Sequence, residues 1–203
     1  MRPHFLLFIG IACLFCMASC HSHPSPEPVE EEIVNDTVVE CDTLSVDHLC
    51  EFDSLIKVEA ERIGWDWRML ASIIYQESRF NPDLVNEKGA YGLMQLMPIV
   101  MERYGIDYNS SIGEQLEAAG NLLMYFDSQL PETISDSLER GYFILACYNA
   151  GLGSIQNARV RTALKGKNPD LWFHNVENCS PRQTYWFVRE IIERYNMYQT
   201  MIQ

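Results

Sequence analysis

Between Leu49 and Tyr198 apolar residues recur at helical spacing, and no stretch alternates in the way a half-buried strand requires. Leu49, Phe52, Leu55, Ile56 and Ile63 form one apolar stripe, and Gly64 stands where a C-cap glycine belongs. Trp67, Leu70, Ala71, Ile74 and Tyr75 form the next, which runs into Glu77. Proline disfavours a helical conformation in the residue before it, so Asn81-Pro82 is the expected stop. Pro98 is suited to open a third helix, reaching Tyr104 before Gly105. Ser110 or Ser111 caps a fourth, carried by Leu116, Ala119, Leu123 and Phe126 and halted by Pro131. A strongly apolar helix follows from Asp136 to Ala150, then a shorter one from Ile155 to Leu164 with Gly166 beyond it. Residues 168–178 show no period and read as irregular, and Pro181 begins a last helix through Tyr198. There is no internal repeat. The pattern predicts one all-α domain over residues 48–203, a common size for a single domain.

The first 47 residues follow another pattern. Arg2 precedes an almost wholly apolar run from Phe5 to Met17, and Ala18-Ser19 are small, so residues 1–19 read as a secretory leader. The run is too short to span a bilayer comfortably. Met17-Ala18-Ser19-Cys20 resembles a bacterial lipobox, in which the cysteine is lipidated and becomes the mature N-terminus. Methionine is not the preferred first residue of that box, so plain secretion is the alternative. In residues 20–47, Pro24, Pro26 and Pro28 alternate with polar residues, and Glu30-Glu31-Glu32 follow. That composition predicts a solvated tether, extended by its prolines and by self-repulsion.

Composition narrows the function. Hydrophobic residues make up 47% of the chain, enough for a buried core and too many for wholesale disorder. A net charge of -13 repels phosphates and argues against nucleic acid as a partner. It suits a neutral or amphoteric polymer better than a polyanion, although simple solubility explains it equally well. With cleavage before Cys20, the cysteines left besides it are Cys41, Cys50, Cys147 and Cys179. These allow two disulfides in an oxidising compartment, and sequence-local pairing would join Cys41 to Cys50 and Cys147 to Cys179. No metal is expected, because the mature chain has no CxxC and its histidines are scattered.

The candidate chemistry lies in residues 72–98, SIIYQESRFNPDLVNEKGAYGLMQLMP. A lone glutamate is usually a solvated surface charge. Glu77, however, sits at the C-terminal end of an apolar helix, where burial and the negative end of the macrodipole both favour the protonated form. That is what a general acid needs. A glycoside-cleaving site commonly adds a second carboxylate. Here Asp83 and Glu87 are the only near candidates, both on a polar segment expected to face water. A second cluster, Tyr148-Asn149-Ala150-Gly151, ends the apolar helix, and Gln183-Thr184-Tyr185-Trp186-Phe187-Val188 lies in the last one.

These stretches resemble the soluble-lytic-transglycosylase (SLT) type of lytic transglycosylase from about Leu55 to Tyr195. Three motifs carry the likeness: E-S with a proline four residues on, then G-A-x-G-L-M-Q-L-M-P, then Y-N-A-G. The spacing around GLGSIQNARV and NPDLWF is similar to that in the catalytic domain of membrane-bound lytic transglycosylase F. The resemblance implies a lysozyme-like helical fold with a substrate cleft. It implies cleavage of the MurNAc-β-1,4-GlcNAc bond of peptidoglycan to 1,6-anhydromuramoyl products, without metal or organic cofactor. Glu77 would act as acid and then as base, with substrate contacts from Ser78, Tyr91, Gly92, Met94, Gln95, Tyr148, Asn149 and Phe187. Peptidoglycan strands would be the partner, on the periplasmic side of the cell envelope. A lipid on Cys20 would make the protein an outer-membrane lipoprotein. The chain departs from the family pattern at Cys147, usually alanine, Gln183, usually glutamate, and Phe187, usually tyrosine. A goose-type lysozyme-like hydrolase and a non-catalytic peptidoglycan-binding module are the alternatives.

Overall fold

The computed structural model describes residues 49–201, so the expected leader, the tether, Cys20 and Cys41 lie outside the described residues. Within that span, local capping chemistry sets most element boundaries. Helix α1 (Asp53–Ile63) ends on Gly64 in the left-handed conformation, and α2 (Trp67–Ser78) begins where the Asp66 side chain accepts from the Arg68 amide. Pro98 occupies the first turn of α3 (Pro98–Tyr104), and Gly105 closes it. Ser111, not Ser110, caps α4 (Ile112–Gln129), in a reciprocal capping box with Glu114. Asp136 caps α5 (Ser137–Ala150) through the amides of Leu138 and Glu139.

The last helices start and stop differently from the apolar pattern. Helix α6 (Leu152–Leu164) begins three residues before Ile155, because Gly151 at φ 80° turns the chain and lets the next helix start at once. A 3-10 turn at Val176–Cys179 interrupts the segment expected to be irregular, and α7 (Arg182–Met201) runs beyond Tyr198. Trp172 anchors that segment: it is fully buried, edge-on to Phe143 at 5.6 Å, and its amide donates to Glu139. Among the described residues there is no strand, only two isolated bridges joining Val85 to Tyr91 and Tyr91 to Leu96.

Helix α2 packs between α1 and α7, while α5 packs against α4, α6 and α7. Their buried faces meet through Leu70, Ile73 and Ile74 of α2, Phe143 and Leu145 of α5, and Val188 and Ile191 of α7. Each such side chain contributes about 1.5–3 kcal/mol on burial, so the C-terminal ends of α2 and α5 are carried on a rigid core.

The expected Cys147–Cys179 disulfide is not formed; both are free, buried thiols. Cys147 lies in the interior of α5, where burial pushes its thiol up to about 12. Cys179 ends the 3-10 turn, and the Lys165 ammonium on α6 donates to its sulfur at 3.4 Å, so each sulfur sits in its own environment.

Candidate active site

Glu77 is the penultimate residue of α2, and the helix stops sooner than Asn81-Pro82 demands. Arg79 and Phe80 both adopt positive φ, 54° and 63°, which no Cβ-bearing residue takes without cost. The Arg79 guanidinium lies 4.1 Å from the Tyr75 ring centroid, and its amide donates to the Tyr75 carbonyl, contacts that offset part of that strain. This double turn sends residues 81–97 back over the end of α2.

The returning loop is held by its own polar groups together with those of neighbouring elements. Ser78 Oγ donates to the Leu93 carbonyl at 2.8 Å, Gln95 Nε2 donates to the carbonyls of Leu84 and Gly92, and the Tyr91 hydroxyl donates to the Tyr108 carbonyl. Gln115 reaches in from α4: its Oε1 accepts from the Leu93 amide and its Nε2 donates to the Ser110 carbonyl. Gly92, at φ 76°, makes room for that amide; a Cβ there would lie 2.0 Å from Gln115 Oε1.

These contacts sort the candidates from the sequence. Ser78, Tyr91 and Gln95 are buried and hydrogen-bonded to backbone, and the Met94 and Phe187 side chains lie in the core. Gly92, for which the family resemblance implies a substrate contact, makes room here for helix-to-loop packing. These residues therefore form the wall of the site. Asp83 and Glu87 are exposed, as expected.

Glu77, Tyr148 and Asn149 make up the open part, each only partly buried. Burial raises the Glu77 carboxyl to about 8, so it is largely protonated at neutral pH. The Tyr148 hydroxyl donates to the Met94 carbonyl at 2.6 Å, tying the end of α5 to the loop. Its pKa stands well above that of an ordinary phenol, first because of burial and then because of the nearby Glu77 charge, which places the two side chains in one electrostatic environment.

Three supporting residues, Thr184, Gln76 and Gln115, escaped the sequence reading. Thr184, buried on α7, donates from its hydroxyl to Asn149 Oδ1 at 2.8 Å, which leaves the Asn149 NH2 to be offered elsewhere. Gln76 donates to Glu190 at 2.7 Å, bracing the residue before Glu77 against α7. Thr184 lies inside a motif already singled out. Gln115 left no signal beyond being a polar residue on an apolar helix face.

The chain matches the family model described as the transglycosylase SLT domain over residues 54–171. It is 34% identical over 143 residues to the membrane-bound lytic murein transglycosylase F of Marinobacter nauticus, covering 70% of this chain and 28% of that protein. With the corresponding protein of Pasteurella multocida it shares 38% identity over 113 residues, 56% of this chain and 23% of that one. The chain thus spans less than a third of the length of the curated relatives it matches.

Among solved structures it is similar to an inactive mutant of the lytic transglycosylase Slt from Pseudomonas aeruginosa. The TM-score is 0.52 at 25% identity, over 74% of this chain and 24% of that one. The 70 kDa soluble lytic transglycosylase of Escherichia coli shares the fold, with a TM-score of 0.55 at 24% identity over 73% of this chain and 24% of that one.

Proposed function

Because the chain belongs to the SLT-type lytic transglycosylase family and has its lysozyme-like helical fold, we propose that it cleaves the MurNAc-β-1,4-GlcNAc bond of peptidoglycan without water. The observation that carries this reading is a single carboxyl, Glu77, raised to about 8 by burial and placed beside Tyr148 at the end of α2. Neutral Glu77 donates its proton to the glycosidic oxygen as the bond from that oxygen to the muramic C1 breaks. The carboxylate then accepts the proton of the C6 hydroxyl of the same sugar as O6 bonds to C1. The product is a 1,6-anhydro ring, and Glu77 returns to its starting state.

An intramolecular hydroxyl has a high effective concentration, so no second carboxylate is needed to position a water. Asn149, its oxygen engaged by Thr184, presents its NH2 to an acetamido or hydroxyl oxygen of the sugar. Tyr148 fixes the distance between α5 and the loop, and Ser78, Tyr91, Gly92, Met94, Gln95 and Phe187 shape the wall behind the sugar. The reaction class is that of a carbon–oxygen lyase acting on a polysaccharide, and the substrate places the domain in the cell envelope. A leader over residues 1–19, lipidation at Cys20 and a tether over residues 20–47 would hold it on the periplasmic face of the outer membrane.

The test is product analysis of purified peptidoglycan digested with the protein and with Glu77→Gln. Anhydromuropeptides from the former and none from the latter are expected. Products heavier by one water would indicate a hydrolase, and binding without release of soluble fragments a non-catalytic module.

A further inference from the structure

At the other end of α2 and α5 from Glu77 lies a cavity of about 360 Å³, within the roughly 300–1,000 Å³ range of small-molecule sites. Asp66, on its rim, is eleven residues before Glu77, about 16 Å along a helix rising ~1.5 Å per residue. The cavity is therefore separate from the Glu77 site. Met69 and Leu145 line it together with three aromatic residues, Trp65, Tyr142 and Tyr195.

The polar groups around it fall into two sets. Arg140 is paired with the Asp127 carboxylate and donates to the carbonyls of Asp127, Pro131 and Ile134, and Asp66 is held by Arg68 and by the Tyr195 hydroxyl. By contrast, the Trp65 indole N–H and the hydroxyls of Tyr142 and Ser137 have no protein partner among the described residues. Asp127 also keeps one carboxylate oxygen outside its bond to the Arg140 Nε. The residues lining the cavity thus carry three donors and an acceptor without a protein partner among the described residues, beside aromatic and aliphatic side chains, and the Arg140 cation is paired with Asp127.

That combination does not suit a phosphate or a carboxylate. It suits a neutral ring with apolar C–H faces and an equatorial belt of hydroxyls. An N-acetylamino sugar fits best, because its acetamido group supplies a carbonyl, an N–H and a methyl for the aliphatic side chains. We propose that this cavity is a second saccharide site, taking an N-acetylhexosamine ring at a distance from the Glu77 site. That the ring belongs to a peptidoglycan strand rests on the proposed function. The site would then hold the strand while another part of it is cleaved.

The test is titration of the full-length Glu77→Gln chain with the GlcNAc trimer, followed by amide and indole N–H chemical shifts. Saturable shifts are expected at the Trp65 indole and at the amides of Ser137 and Gly141. Trp65→Phe combined with Ser137→Ala should weaken them at least tenfold, while the Asn149 shifts keep their own saturation curve. If the Trp65 change prevents folding, Tyr142→Phe with Ser137→Ala is the pair to compare. In chains with intact Glu77, the cavity variants should still cleave a soluble tetrasaccharide at the parental rate but release less from intact sacculi. Shifts confined to the Asn149 region, or cavity shifts indifferent to these substitutions, would overturn the site. Cavity binding without any anhydro product would instead overturn the enzyme reading and leave the site standing.

Discussion

Replacing Glu77 by glutamine should stabilise the protein at neutral pH, by an amount the carboxyl's own titration sets. The group is raised from 4.5 to about 8 by burial, and no hydrogen bond to it is lost on substitution. Below the lower value it is protonated in both folded and unfolded chains and has no effect. Between the two values the unfolded chain releases a proton that the folded chain keeps, so stability falls as pH rises. Since pH 7 lies ~2.5 units above the unfolded value and still below the folded one, keeping the proton costs about 3 kcal/mol, reduced to about 2–3 kcal/mol by residual solvent contact. At pH 5 the cost is below about 1 kcal/mol. For a domain of this size, the pH 7 difference corresponds to a Tm higher by about 5–10 °C in the variant. Urea and thermal unfolding of both proteins at pH 5 and pH 7 measure it. A difference that is absent, reversed or the same at both pH values would refute a buried, neutral Glu77.

Four further outcomes follow from the same geometry. The rate of anhydromuropeptide release should fall as pH rises through about 8, because the first step needs the protonated carboxyl; a pH–rate profile checks this. Gly92→Ala should cost about 2–4 kcal/mol in urea unfolding, since its Cβ meets Gln115 Oε1 at 2.0 Å in a left-handed backbone. Ser78→Ala should cost about 1–2 kcal/mol by leaving the buried Leu93 carbonyl without its hydroxyl donor, again seen in unfolding. Thr184→Val should lower kcat/KM by about tenfold by freeing the Asn149 amide to rotate, while Thr184→Ser keeps most of it; steady-state kinetics on a soluble glycan decide.

Much of the fold was legible because helix formation is read locally. Apolar residues three and four apart, a capping serine or aspartate and a terminal glycine all act within about one turn, so five of the seven α-helices among the described residues begin within two residues of the predicted place, and α4 to α6 end where Pro131, Gly151 and Leu164 imply. Leu49 and Phe52 belong to the first apolar stripe yet lie before α1, and both are buried, so the helical period continues past the helix itself. Glu77 was equally visible, as a carboxylate at the end of an apolar helix inside a dense motif.

What the chain order could not show is which motif residues stay partly open and which are buried against each other. Ser78, Met94 and Gln95 look like cleft residues in a linear motif, but the loop after α2 doubles back and takes the polar atoms of Ser78 and Gln95 for its own carbonyls, while the Met94 side chain is buried in the core. The residues that complete the site come from far along the chain: Gln115 lies 22 residues from Leu93, and Thr184 lies 35 from Asn149. The free thiols of Cys147 and Cys179 make the same point, since pairing depends on where two sulfurs end up in space. Sequence alone determined most of the helices, the place of Glu77 at a helix end and the family pattern, because those rest on neighbours close along the chain. Only the tertiary structure decided the neutrality of Glu77, the direction of the asparagine amide and the cavity at the other end of α2 and α5, because desolvation and hydrogen-bond partners are set by segments that meet only in the folded chain.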